Sequence, residues 1–172
     1  MQRGDALIGM LAGHRDPMLA EQVGLLGVDF YMLDAEHGAL DARDVEAIVR
    51  GCESVLVTPL ARVRSLDPKL ILQFLDAGAQ GIMLPGVTHP DEVAALVDAV
   101  RYPPLGRRGL GPARSAGYLL SKRSQRAILS DANARTLVLP QVEDIKAVER
   151  IDQLLAVPGI DGVIIGQVDL SL

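Results

Sequence analysis

A short apolar run followed by an amphipathic segment recurs along this chain, and that alternation constrains the fold more than any single residue. The spacing predicts strands over Ala6 to Leu11, Phe30 to Leu33, Val55 to Ala61, Gly81 to Leu84, Thr136 to Leu139 and Gly162 to Ile165. Between them it predicts helices from about Pro17 to Leu26, Ala42 to Cys52, Pro68 to Ala77, Pro90 to Tyr102 and Ile145 to Leu155. Asp16 before Pro17, Asp41 before Ala42 and Asp67 before Pro68 are N-cap residues in this reading, and Gly78 stops the third helix.

Strands that alternate with helices pair in parallel through right-handed crossovers. Two architectures follow, a doubly wound sheet and a (β/α)₈ barrel. No G-x-G-x-x-G follows the first strand, so a dinucleotide fold has no direct support. The stretch from Arg101 to Gly117, rich in Pro, Gly and Arg, reads as a long irregular connection of the functional or interfacial kind. A full barrel takes about 250 residues and eight strands. Six strands in 172 residues leave two readings, an open, shorter α/β sheet or the first six β/α units of such a barrel, an incomplete single domain spanning 1–172, and the second is favoured.

Aromatic residues make up 3% of the chain, so the core is aliphatic, as buried parallel strands require. A net charge of −5 and the lack of a basic stripe argue against a nucleic-acid partner. The apolar runs are broken well before membrane-spanning length, and nothing resembles a signal peptide. One cysteine, Cys52, fits a reducing compartment and a packing role on a helix. A soluble cytoplasmic protein is the expectation.

Charged residues gather just past the predicted strand ends, where barrels keep their chemistry. Leu33-Asp34-Ala35-Glu36-His37-Gly38 follows the second strand, Arg62 and Arg64 the third, Gln141 to Glu143 the fifth and Asp169 the sixth. Glu143 and Asp169 suit a hard divalent cation that keeps open positions for water or substrate oxygens. Taken singly, each also reads as a first-turn or capping acid. His37 suits proton transfer near neutral pH, against the plainer reading of a surface loop histidine. Arg62 suits a bidentate hold on a substrate carboxylate. Asp76 sits late in its helix, against the dipole, a small penalty that points to a partner, against the plainer reading of a common exposed helix acid. None of Lys69, Lys122 and Lys146 falls on a strand, which argues against a Schiff-base mechanism.

These residues, in this order, resemble the HpcH/HpaI aldolase family, the metal-dependent pyruvate aldolases. The resemblance rests on Asp34 to Gly38, on Arg62 followed by Asp67-Pro68, and on Leu75-Asp76-Ala77-Gly78-Ala79-Gln80-Gly81. It continues through Arg101-Tyr102-Pro103-Pro104, Gly106-Arg107-Arg108-Gly109, Gln141-Val142-Glu143, and Asp161 to Gly166 leading to Asp169-Leu170-Ser171. The chain departs from the family at Gln167-Val168, where a proline step is usual, and the family's last two strands have no counterpart in it.

The resemblance implies a barrel in a homo-oligomer, a hexamer built from dimers. It implies Mg²⁺ or Mn²⁺, with Co²⁺ as a further candidate, held by Glu143 and Asp169. Arg62 would bind the pyruvate carboxylate, and His37 paired with Asp76 would move protons through a metal-bound water. Gln141 would lie near the keto-acid oxygens and Asp34 near the aldehyde end. The implied reaction is retro-aldol cleavage of a 4-hydroxy-2-oxo acid to pyruvate and an aldehyde. An acyl-CoA lyase of the citryl- or malyl-CoA type, and an inactive assembly partner, are the alternatives.

Overall fold

The computed structural model describes residue 4 and residues 6–171. Six strands form one sheet: β1 (Gly9–Ala12), β2 (Phe30–Asp34), β3 (Thr58–Arg62), β4 (Gly81–Leu84), β5 (Leu137–Val142) and β6 (Ile164–Ile165). Every neighbouring pair is parallel, and the spatial order is the sequence order. That order has no point where the winding reverses, which excludes the doubly wound alternative. The sheet is a curled half-barrel of the (β/α)₈ type.

The two faces of the sheet differ in what covers them. Tyr31, Leu33, Ala61, Ile82, Val138 and Val142 face outward into the main core, with residues of α2 (Ala42–Ser54), α3 (Pro68–Ala77) and α4 (Pro90–Val100). Met32, Leu60, Met83 and Leu139 form a separate cluster drawn from strands alone. Side chains alternate along each strand, so the residues two further on share that inner face. They are Asp34, Arg62 and Gln141.

Caps fix the helices that carry the strands into place. Asp16 accepts from the Met18 amide at the start of α1 (Pro17–Leu25), and Asp41 and Asp44 form a reciprocal capping box on α2. Asp67 caps α3, and Gly78 ends it at a φ of 115°, which only glycine adopts without strain. Cys52 is fully buried in α2, and burial pushes its thiol up to about 12, in keeping with a packing role.

Several boundaries differ from the sequence reading. β1 starts at Gly9 rather than Ala6. β3 begins at Thr58 rather than Val55, because Leu56 turns the chain at a φ of 60°. β5 runs through Pro140 to Val142, while β6 is limited to Ile164 and Ile165. The span read as one helix is α6 (Ile145–Glu149) and α7 (Ile151–Leu155), separated at Arg150. The irregular connection runs into a 3₁₀ segment, Arg114–Leu119, which is followed by α5 (Gln125–Arg135), and the sequence reading contained neither. A final turn, α8 (Gln167–Leu170), follows β6. Among the described residues, no helix is long and apolar enough to cross a membrane.

Arg101 ties the α4–β5 connection to the sheet. Its guanidinium is almost fully buried and donates to the carbonyls of Asn133 (2.6 Å), Thr136 (2.6 Å) and Gly159 (3.0 Å) and to Asp161 (2.7 Å). Asp161 in turn accepts from the Val138 amide, so one cation joins the starts of β5 and β6. Hydrogen bonds to charged groups contribute about 1.5–3 kcal/mol, so Arg101→Ala should cost about 3 kcal/mol in a denaturant titration. Arg107→Ala is the control: its ion pair with Asp98 is solvent-exposed, and the expected loss is below about 1 kcal/mol.

Candidate active site

Asp34 and Arg62 are the last residues of adjacent strands and are register partners. Parallel pairing therefore sets their side chains together on the inner face. The Arg62 fork binds the Asp34 carboxylate at both ends, Nε to Oδ1 at 2.9 Å and Nη2 to Oδ2 at 2.6 Å. Both side chains are about nine-tenths buried. Asp34 Oδ1 also accepts from the backbone amides of Glu36 (3.1 Å) and His37 (3.3 Å), folding the following loop back over the strand end. Burial alone would raise the Asp34 carboxyl. The Arg62 fork and these amides outweigh it and hold the carboxyl below its ordinary range. The same contact raises Arg62.

Glu36 is the second anchor of Arg62, 3.2 Å from Nη1. Its Oε2 is buried and makes no hydrogen bond besides that ion pair. His37 lies beyond it, with Nε2 at 3.8 Å from Glu36 Oε2 and its side chain 71% exposed. The loop bearing these residues rests on the β1–α1 loop by a backbone-to-backbone contact. A Cβ on Gly38 would strike the Asp34 carbonyl oxygen and stand 2.7 Å from Gly13 Cα. Gly38→Ala must therefore shift the His37 loop, and overpacking of this kind costs about 1–3 kcal/mol. Thermal melts and turnover of Gly38→Ala should both fall. Gly111→Ala, where a Cβ meets open space, should change neither.

The other side of the rim is built by β5. Gln141 is buried, its Nε2 donates to Glu143 Oε2, and its own Oε1 is buried with no partner. Glu143 follows the strand end and lies beside Gly86, which sits at a φ of 65° in the turn after β4. Desolvation raises the Glu143 carboxyl, and the nearby charges of Glu36 and Asp169 raise it further against the pull of the Gly86 amide and of Arg62. Asp169 lies in the first turn of α8 and is solvent-exposed. Gly166 lets that turn approach: a Cβ there would stand 2.6 Å from both Gln141 Nε2 and Glu143 Oε2.

The structure thus brings Asp34, Arg62, Gln141, Glu143 and Asp169 to one rim, with His37 at its outer edge. Asp76 is elsewhere. It lies in the last turn of α3 and pairs with Arg108 Nη2 at 3.2 Å, which offsets its unfavourable position against the dipole. Because α3 returns antiparallel to β3, its last turn lies beside the start of β4, at the opposite end of the sheet. Among the described residues, no hydrogen bond or ion pair joins Asp76 to His37. Arg64 is exposed. Glu36, Gly86 and Gly166 are the site residues that sequence reasoning did not single out. Glu36 lay inside the charged block after the second strand, and Gly86 followed the fourth strand in the same way as the other rim residues.

Four carboxylates gather at this rim, two of them paired with its one guanidinium, and desolvation with the charges of Glu36 and Asp169 raises Glu143. Such a donor set fits a hard divalent cation. Glu143 and Asp169 are the carboxylates free of the Arg62 fork, and the unpartnered Gln141 carbonyl lies beside them. Among the described residues, no three His, Cys, Asp or Glu side chains converge into a closed metal cage. An open two-carboxylate site leaves positions for substrate oxygens.

A family model described as HpcH/HpaI aldolase/citrate lyase matches residues 7–172. A hydroxypyruvate/pyruvate aldolase of Roseovarius nubinhibens is 39% identical over 98% of this chain and 65% of that protein. A 4-hydroxy-2-oxovalerate aldolase of Novosphingobium aromaticivorans is 34% identical over 99% of this chain and 64% of that protein. The crystal structure of an HpcH/HpaI aldolase from Desulfitobacterium hafniense superposes with a TM-score of 0.93 at 31% identity, over 99% of this chain and 65% of that one. The chain spans less than two thirds of the length of each of these relatives.

Proposed function

The chain belongs to the HpcH/HpaI aldolase/citrate lyase family, and on that premise we propose that it serves a divalent-cation-dependent carbon–carbon lyase that cleaves a 4-hydroxy-2-oxo acid to pyruvate and an aldehyde. The observation that carries this reading is the rim itself, where Arg62 offers a fixed cationic fork beside carboxylates that are short of positive charge. Relatives named hydroxypyruvate/pyruvate aldolase and 4-hydroxy-2-oxovalerate aldolase support the same substrate class.

In this mechanism Asp34 and Glu36 hold the guanidinium in one orientation, and its remaining N–H groups take the substrate carboxylate. A divalent cation held by Glu143 and Asp169 would supply Lewis-acid polarisation of the 2-oxo group. Gln141, fixed against Glu143, presents its amide to the same end of the substrate. His37 accepts the proton of the 4-hydroxyl, with Glu36 beside it to stabilise the imidazolium. The C3–C4 bond then breaks. Its electron pair becomes the C2=C3 double bond while the π pair of the 2-oxo group moves onto its oxygen, giving the pyruvate enolate, and the 4-carbon leaves as an aldehyde. Return of a proton to C3 completes pyruvate. A role for Asp76 in this proton path is part of the family expectation, and within one chain Glu36 is the carboxylate nearest His37.

Incubation with 4-hydroxy-2-oxovalerate, Mn²⁺ and a pyruvate-detecting coupling enzyme should give steady pyruvate formation that a chelator stops. Pyruvate formation at an equal rate with chelator would remove the cation from the proposal. No pyruvate formation from this or other 4-hydroxy-2-oxo acids would remove the reaction.

A further inference from the structure

A second cavity, of about 360 Å³, opens at the opposite end of the sheet from the Arg62 rim. Its walls are the turn from α3 into β4, the residue before β5, the 3₁₀ segment and α5. Four guanidiniums line it, those of Arg108, Arg114, Arg123 and Arg135, together with the hydroxyls of Ser115 and Ser121. We propose that this cavity binds a phosphate group, free or carried on a small organic molecule.

Arg108 is the innermost of these cations. Its side chain is 3% exposed, and its Nε is buried without a hydrogen-bond partner. The guanidinium lies over the Tyr102 ring, with Cζ 4.4 Å from the centroid, so the aromatic face holds it flat. Its other contacts are long, 3.2 Å to Asp76 and 3.3 Å to Ser115 Oγ, both from Nη2. A buried cation with an orphaned N–H has unspent donor capacity.

Arg114 stands on the other wall, held by Glu53 and resting against the Gly78 turn, where a Cβ would come within 2.6 Å of Nη1. At the mouth, Arg123 and Arg135 share a single carboxylate, Asp131. Counting Asp76 and Glu53, four cations face three anions, in a chain whose overall charge is −5. The local sign is opposite to that of the molecule.

The geometry favours a tetrahedral oxyanion over a lone carboxylate. Guanidiniums and hydroxyls come from several different segments and would approach the ligand from several sides, while a carboxylate is satisfied by one planar fork. Leu75, Ala116 and Ile128 supply an apolar portion of the wall, which suits the organic part of a phosphate monoester.

Isothermal titration of the chain at fixed ionic strength tests this, with inorganic phosphate and with glycerol phosphate as the two probes and chloride as the control. Saturable binding of phosphate, absent with chloride, is the expected result. Tighter binding of glycerol phosphate assigns the site to an ester, and equal binding assigns it to free phosphate; either supports the site. Ser115→Asp and Arg135→Glu should each weaken binding at least tenfold by placing a carboxylate in the cavity. They are preferred to Arg108→Met, which strips Asp76 of its partner and can cost folding. Absence of saturable binding in the unaltered chain overturns the proposal. So does undiminished binding in both variants, since the anion is then held elsewhere. Heat of binding is read without turnover, so failure here leaves the lyase reading untouched.

Discussion

Asp34→Ala should lower the stability of the protein by about 3–5 kcal/mol, the usual cost of removing one member of a buried ion pair. Arg62 is about nine-tenths buried and would keep only Glu36 as a charged partner. The loss has a pH signature. Arg62 and the Glu36 and His37 amides overcome burial and hold the Asp34 carboxyl low, so the folded state binds its proton later than the unfolded chain does. The pair's contribution is then complete above the unfolded aspartate value of about 3.9 and is lost as pH falls through the lower folded value. Denaturant midpoints of the parent and Asp34→Ala should converge at the acid end of that window. The double variant Asp34→Leu with Arg62→Met should be more stable than Arg62→Met alone, because the buried Asp34 carboxylate is no longer left without its cation, while Glu36 loses Arg62 in both. It should nevertheless be inactive. A double variant that still turns over substrate would separate the fork from the chemistry.

Glu143→Ala should abolish cation-dependent turnover. Lewis-acid stabilisation is worth several kcal/mol, and each ~1.4 kcal/mol is tenfold in rate, so the expected fall is at least about 100-fold. Stability should change little, because the relief of repulsion offsets the loss of the acceptor for the buried Gln141 amide. Desolvation and the Glu36 and Asp169 charges work against the Glu143 carboxylate in the folded chain, so its removal relieves repulsion. A melt at neutral pH without added cation reads this directly. Mn²⁺ should raise the melting temperature of the parent and leave that of Glu143→Ala unchanged. A variant that keeps its Mn²⁺-dependent rate contradicts the assignment of Glu143 as a ligand.

Much of this architecture was readable from local chemistry. The third helix lies where Asp67, Pro68 and Gly78 place it, and β4 spans the four apolar residues read as a strand. These are signals carried by residues adjacent in sequence. The helix α5 had no such signal. Only Ile128 among its residues is buried, so it shows no apolar period and is held by its N-cap Ser124 and its neighbours. The extension of β5 through Pro140 was hidden because proline usually ends a strand, yet here Pro140 sits in register with Leu84.

At the rim, Asp34, Arg62 and Gln141 were legible because each stands at or just past the end of a predicted strand. The joining of Arg62 to Glu36 was not, since it depends on how the loop after β2 folds back over the strand end. The separation of Asp76 from the rim was contained in the helix direction, which a motif-based pairing with His37 passes over.

The most direct test of the rim as an enolate-forming site needs no choice of aldehyde. Pyruvate is incubated with the chain in D₂O, with Mg²⁺ or with chelator, and the methyl signal is followed by proton NMR. The account predicts loss of that signal with Mg²⁺, none with chelator, and none with Glu143→Ala. A folded chain whose exchange with Mg²⁺ is no faster than with chelator would contradict it.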